Sequence, residues 1–248
     1  MLLRGATALV TGASSGIGSA TAEALHRRGA RLLLTGRDRR RLAGIAANVD
    51  AQFIAGDLAE PGWRAELASW AVQRQPDVLV HNAGVGLVAP ADLVGDDQLR
   101  RLFEVNVLAP ISLTRALLPD MRERGRGHLA FVGSIAGLLG VPEESAYAAS
   151  KAALHRYADS LRQELADDGI GVSTVAPGIV DTAFFDRRGM PYPRRFPRPM
   201  SPGRVAEALA DAVEHDRAEV VLPRWLRLPV WLQAAAPNTY HALARRFS

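Results

Sequence analysis

Thr11-Gly12-Ala13-Ser14-Ser15-Gly16-Ile17-Gly18 is the stretch on which the reading of this chain turns. It lies between an apolar run at residues 6–10 and an amphipathic run at 17–28 that stops at Gly29. That order reads as a strand feeding a helix. In the connecting turn Gly12 permits a tight bend, Gly16 lets the backbone approach a pyrophosphate, and Gly18 lets the helix pack close to the strand. The helix N-terminus then presents free N–H groups and the positive end of its dipole to an anion, with Ser14, Ser15 and Ile17 as neighbouring contacts. In a strand–loop–helix setting, the glycines favour nucleotide binding over a plain turn.

The same alternation continues outward. Further strands are predicted at 31–35, 51–55, 77–81, 128–133 and 171–175, with a last short one at 220–222. Helices are predicted at 38–47, 61–73, 96–124, 145–167 and 202–215. Short apolar runs alternating with amphipathic ones mark βαβ units and a parallel sheet. The near-continuous hydrophobicity of the strands means that both sheet faces are covered. No internal repeat, low-complexity tract or linker divides the 248 residues, so residues 1–248 read as a single α/β domain.

Composition narrows the chemistry. Cysteine is absent, which excludes a disulfide framework, a thiolate metal site and a cysteine nucleophile, and accords with a cytoplasmic location. No metal site is expected. The opening MLLRGATALV lacks a basic n-region and a small-residue cleavage site, so no signal peptide is expected. No uninterrupted apolar run reaches the ~18 residues of a membrane span. The sequence pI of about 10.1 raises the question of nucleic acid. The arginine excess, however, falls in two late proline-containing segments, 183–200 and 223–248, rather than on a helix stripe, and a nucleic-acid partner is not expected.

Among 30 basic residues only Lys151 is a lysine. Lysine offers a compact, tunable charge where arginine offers a broad fork that stays protonated. Tyr147 stands four residues earlier, so a helix over 145–167 puts both on one face. A free phenol, with a pKa of about 10, is a poor base at neutral pH, and a nearby ammonium is expected to lower it.

The Gly-x-x-x-Gly-x-Gly spacing and Asn82-Ala83-Gly84 after the fourth strand resemble the short-chain dehydrogenase/reductase family. Downstream, Asn106, Ser134, Tyr147-Ala148-Ala149-Ser150-Lys151, Pro177-Gly178, Val180 and Thr182 follow in family-like order, and the resemblance covers residues 6–182. It implies a Rossmann-type doubly wound parallel sheet of about seven strands flanked by helices. It implies Tyr147 as general acid/base, Ser134 as the donor that orients the reacting oxygen, and Lys151 as holder of the nicotinamide ribose and tuner of Tyr147. Asn106 would position a relay water, and Asp57-Leu58 would contact adenine. Homodimers or homotetramers built partly from the fourth and fifth long helices are implied as well.

A dinucleotide site takes NAD through an acid at the end of the second strand, or NADP through an arginine there. Here the strand ends in Gly36-Arg37, and Asp38 reads better as a helix N-cap. NADP(H) is therefore expected over NAD(H), although Ser15 is neutral where many NADP-dependent relatives carry a second basic residue. Residues 141–144 and 183–200 would border the substrate mouth. The latter holds Phe184, Phe185, Met190, Tyr192 and Phe196, and its prolines 191, 193 and 197 argue for an extended lid over a helix. A fairly apolar ketone or secondary alcohol is the expected small-molecule partner. Residues 223–248 read as a flap over the pocket or a subunit contact, ahead of a segment lying on an anionic membrane surface. His81 and His155 are expected to take core or surface roles rather than catalytic ones, and Ser150 to serve local packing.

Two other functions are compatible with parts of this pattern. A non-catalytic NADP(H)-binding sensor or scaffold would commonly have lost the catalytic set, which is complete here. A sugar-nucleotide epimerase would need more chain for its second ligand. Lys151→Arg, conservative in charge, is expected to impair turnover and cofactor binding far more than stability, as a comparison of rates and melting temperatures would show.

Overall fold

The computed structural model of the protein describes residues 1–188 and 198–247, with side chains through Ala244. Its strands are β1 (Thr7–Thr11), β2 (Arg31–Gly36), β3 (Gln52–Ala55), β4 (Val78–His81), β5 (Gly127–Val132), β6 (Ile170–Pro177) and β7 (Glu219–Leu222). They form one seven-stranded sheet in the order β3-β2-β1-β4-β5-β6-β7, every pairing parallel. The order reverses between β1 and β4. Loops leaving those two strands diverge to opposite faces and open a crevice beyond their carboxyl ends.

The helices are α1 (Gly16–Arg27), α2 (Arg39–Asn48), α3 (Pro61–Val72), α4 (Asp96–Phe103), α5 (Ala109–Glu123), α6 (Ser145–Glu164), α7 (Phe184–Arg187), α8 (Pro202–Glu214), α9 (Arg227–Ala235) and α10 (Pro237–Phe247). Alternate strand residues feed two cores. Ala8 and Val10 of β1 join Leu25, Leu42 and Val213 from α1, α2 and α8. Leu9 points the other way, to Leu67, Leu117 and Leu161 from α3, α5 and α6. All five residues of β1 are buried. Burying each large apolar side chain is worth about 1.5–3 kcal/mol, which is why the central strands read as unbroken apolar runs.

Three expectations need correction. The single helix expected over 96–124 is α4 and α5 joined by a π-helical turn at Glu104–Leu108, where the Ala109 amide bonds back to the Glu104 carbonyl. Pro110 is the physical reason: it has no N–H to give the Asn106 carbonyl, so an α-pattern cannot run through this point. The segment after Thr182, expected to be extended, includes the short helix α7, while prolines 191, 193 and 197 and residues Met190, Tyr192 and Phe196 lie outside the described residues. Residues 227–247, expected to be broken by prolines, form α9 and α10, with Pro229 in a first helical turn and Pro237 opening the second helix, positions that tolerate proline. α9 leaves Leu228 and Trp231 each 70% exposed.

At the opposite end of the sheet, buried Asp77 ties three elements together. Its carboxylate accepts from the Thr7 amide at 2.9 Å and pairs with Arg124 at 2.7 Å and Arg126 at 2.8 Å. Burial alone would raise its pKa, but Arg126, the Thr7 amide and Arg124 outweigh it and hold the group below the ordinary value. A depressed carboxylate contributes stability that is present above its unfolded value of about 4 and lost as pH falls through the lower folded value. Asp77→Asn should therefore lower stability by about 1–3 kcal/mol at pH 7 and flatten the acid limb of a urea-midpoint profile.

Candidate active site

The residues after β1 are held by close backbone approach. Gly12 has φ +67°, and a Cβ there would stand 2.8 Å from the Ala83 Cα. A Cβ on Gly18 would meet the Gly12 carbonyl oxygen at 2.2 Å and Asn82 Nδ2 at 2.5 Å. These are the tight turn and the close helix–strand contact that the sequence called for. Asn82 Nδ2 donates to the Thr11 carbonyl at 2.8 Å and to that of Gly12 at 3.3 Å. Thr11 Oγ1 donates to the Val80 carbonyl and accepts from the Asn82 and Ala83 amides at 3.0 and 3.1 Å. Asn82 is thus a brace for the loop as well as part of the cleft wall. Thr11, which the sequence reading passed over, locks β1 to β4. The Ser15 side chain makes no capping bond to α1, so the first-turn N–H groups point into the cleft without a side-chain acceptor from their N-cap.

That cleft has a volume of about 870 Å3 and runs over the carboxyl ends of the strands. Gly12, Ser14, Ser15, Gly16, Ile17, Arg37, Asp57, Leu58, Asn82, Ala83 and Gly84 line it, and so do Ser134, Tyr147, Lys151, Pro177, Gly178, Val180 and Thr182. Two predicted residues do not: Gly18 lies beneath the loop and Asn106 is fully buried behind the wall. Asp38 caps α2 by accepting from the Arg41 amide at 3.0 Å, and its other oxygen pairs with Arg41 at 3.3 Å. The carboxylate nearest the end of β2 is therefore committed, and Arg37 stands at the rim. Asp57 accepts from the Ala59 amide at 3.0 Å and pairs with Arg101 at 2.7 Å. Burial would raise its pKa, yet these bonds keep it low and the group ionised. A glycine-lined loop and an uncapped helix N-terminus fit the pyrophosphate of a nicotinamide dinucleotide.

At the other end of the cleft stands the polar cluster around Tyr147. Ser134, at the exit of β5, stands beside the Tyr147 phenol, and its Oγ accepts from the Ala136 amide at 3.1 Å. Lys151 lies one helical turn after Tyr147, is only 4% exposed, and donates from Nζ to the Val132 carbonyl at 3.0 Å. Burial lowers its pKa to about 8. Such tight enclosure adds an overpacking cost to any arginine placed there. The expected lowering of the Tyr147 pKa is not found: burial pushes it up to about 12, with Glu144 adding to the rise while the Ser134 hydrogen bond and the Arg188 cation oppose it. The phenol is a neutral proton donor in this arrangement.

A second layer fixes these groups. Asn106 Oδ1 accepts from the Val85 amide, and its Nδ2 donates to the Val85 carbonyl, all at 2.9 Å, and to Ser150 Oγ at 3.0 Å. Ser150 in turn donates to the Tyr147 carbonyl at 2.7 Å. The Asn106 amide is thus occupied as a pin between the β4 loop and α6. His155, pushed down to about pKa 4 by burial, bonds the Ser134 carbonyl at 3.2 Å. His81, also buried, bonds Thr114 Oγ1 at 2.9 Å and stacks on Phe131. Both histidines and Ser150 are buried, and Ser150 and His155 lie directly behind Tyr147 and Ser134.

The substrate side is apolar, with Leu102, Val85, Leu87, Val141 and Phe184 packed around Tyr147. The Phe184 and Tyr147 ring centroids are 5.8 Å apart. Arg188 pairs with Glu144 at 2.5 Å, both side chains largely buried, and joins the segment after β6 to the loop before α6. Nothing in the sequence singled out this pair, because Arg188 is one arginine among many. Tyr240 and Ala244 of α10 complete the wall.

A family model for short chain dehydrogenases matches residues 6–191. The chain is 34% identical over 258 residues to dehydrogenase/reductase SDR family member 7B of Mus musculus, an alignment covering 96% of this chain and 80% of that protein. Its structure is similar to a short-chain dehydrogenase from Sphingobium yanoikuyae in complex with NADPH, with a TM-score of 0.84, 27% identity, and coverage of 94% of this chain and 95% of that one. It is also similar to the bulky-bulky ketone specific alcohol dehydrogenase from Comamonas testosteroni, with a TM-score of 0.80, 26% identity and 94% of each chain covered.

The Asn106 geometry yields a direct test. Asn106→Ala strands the Val85 amide and carbonyl in a buried site and should lower stability by about 1–3 kcal/mol in urea unfolding. Tyr147 and Ser150 lose their common anchor in the same variant, so turnover should fall further than the loss of folded protein explains.

Proposed function

The chain belongs to the short-chain dehydrogenase/reductase family and is an oxidoreductase of CH–OH groups, and on that premise we propose that it uses NADP(H) to interconvert a fairly apolar ketone and its secondary alcohol. The observation that carries this reading is the placement of Tyr147, Ser134 and Lys151 at one end of a cleft whose other end holds the glycine loop and Arg37. Bound there, the nicotinamide supplies or accepts the hydride.

The chain's own residues do the rest. The α1 N-terminus and the loop from Gly12 to Ile17 would hold the pyrophosphate. Arg37 would receive the 2′-phosphate, a role supported by the commitment of Asp38 to capping. Lys151, with its ammonium in reach of the cleft beside Gly84, would donate to the nicotinamide ribose. Tyr147, neutral and buried, gives its proton to the carbonyl oxygen in reduction and recovers it in oxidation. Ser134 donates to that same oxygen, and its own position is fixed by the Ala136 amide and by His155 below. The apolar wall of Leu87, Leu102, Val141 and Phe184 excludes water and favours an apolar substrate. Similarity to the bulky-bulky ketone specific alcohol dehydrogenase from Comamonas testosteroni supports the same substrate class.

Binding of NADPH and NADH, followed by nicotinamide fluorescence, together with oxidation of the preferred cofactor over a carbonyl panel, tests the proposal. NADPH should bind more tightly, at least one apolar ketone should be reduced, and Tyr147→Phe should lose roughly 100-fold or more of the rate while still binding cofactor. Tight NADPH binding with no turnover across the panel would instead favour a sensor or scaffold.

A further inference from the structure

Position 15 is a serine, so the glycine loop supplies no cation of its own to an adenosine 2′-phosphate. The structure brings one there from elsewhere. Arg187 Nη1, at the end of α7, donates to Ser15 Oγ at 3.2 Å across 172 residues of sequence. Arg187 and Arg37 line the same cleft beside the Ser14 and Ser15 hydroxyls. Among the described residues neither arginine makes an ion pair, whereas nearby Arg41 is held by Asp38.

Two arginines lining one cleft wall, one of them bonded to the Ser15 hydroxyl and neither ion-paired among the described residues, form an anion cradle. Burial, followed by the Arg37 and Arg41 cations, pushes Arg187 below the ordinary guanidinium value, with Asp186 opposing, as expected where positive charges are brought together. A phosphate monoester, carrying nearly two charges and three acceptor oxygens, relieves that repulsion. A ribose hydroxyl, uncharged, does not.

We propose that Arg187 is a specificity-determining residue that grips the 2′-phosphate of NADP(H) together with Arg37, supplying from the substrate segment the second cation that position 15 lacks. The inference rests on the NADP(H) reading above and adds to it a residue from a different part of the chain. It also makes α7 a shared wall: Phe184 packs on Tyr147, and Arg187 reaches the cofactor end three residues later.

Calorimetric titration of the full chain with adenosine 2′,5′-bisphosphate and with 5′-AMP, and fluorescence titration with NADPH and NADH, would test this in wild type, Arg37→Gln and Arg187→Gln. Arg187→Gln should weaken NADPH and the bisphosphate by roughly tenfold while leaving NADH and 5′-AMP within about twofold. Its melting temperature without ligand should match wild type, because Arg187 is exposed. If Arg37→Gln loses the phosphate preference and Arg187→Gln keeps it, Arg187 has no such role and the NADP(H) reading survives. Equal weakening of all four ligands by Arg187→Gln would likewise overturn the proposal, since the residue would then act on the loop rather than on the phosphate. Wild-type protein that binds NADPH no better than NADH would remove both.

Discussion

The contact of α1 with the ends of β1 and β4 is the constraint from which the rest of the site follows. A hydrogen in place of a side chain at Gly18 lets the helix sit against the Gly12 carbonyl and leaves Asn82 room to reach back to Thr11 and Gly12. Thr11 completes the lock through Val80, Asn82 and Ala83. With that lock in place, the helix N-terminus points into the crevice where the strand order reverses, and the polypeptide after β4 is aimed along the cleft toward α6. Any side chain at position 18 would push the helix away, open the crevice and unseat Asn82 together.

The reaction centre is built by burial on a polar scaffold. Tyr147 and Lys151 are both sequestered, yet burial acts on them in opposite directions because one is charged when deprotonated and the other when protonated. The result is a neutral phenol beside an amine whose pKa burial has lowered. Such an arrangement is unstable without partners, since an unsatisfied buried polar group costs on the order of 1–3 kcal/mol. Here the Val132 carbonyl accepts from Lys151, while Asn106 and Ser150 hold the Tyr147 backbone and His155 holds that of Ser134. The residues around the catalytic set are therefore as constrained as the set itself.

Much of this was legible from sequence because it depends on local pattern. β1, the glycine loop and α1 follow from periodicity and punctuation, and the i,i+4 spacing of Tyr147 and Lys151 requires only that α6 be a helix. Asp38 as an N-cap was readable for the same reason. What escaped was set by long-range contact. The upward direction of the Tyr147 shift comes from how deeply α6 is buried, with Glu144 adding to it, not from the lysine four residues away. The π-turn at Asn106 was foreshadowed by Pro110, but a helical period spanning 96–124 masks a single irregular turn. Arg188 and Arg187 carry no local signal in an arginine-rich chain; only the fold shows which of them meets Glu144 and which meets Ser15.

The four residues of α7 touch both halves of the cleft, Phe184 at the phenol and Arg187 at the phosphate loop. The reacting end and the dinucleotide end of the cleft are thus mechanically coupled through one short helix. Evolutionary drift or laboratory redesign that reshapes one end by moving α7 therefore also moves the wall of the other.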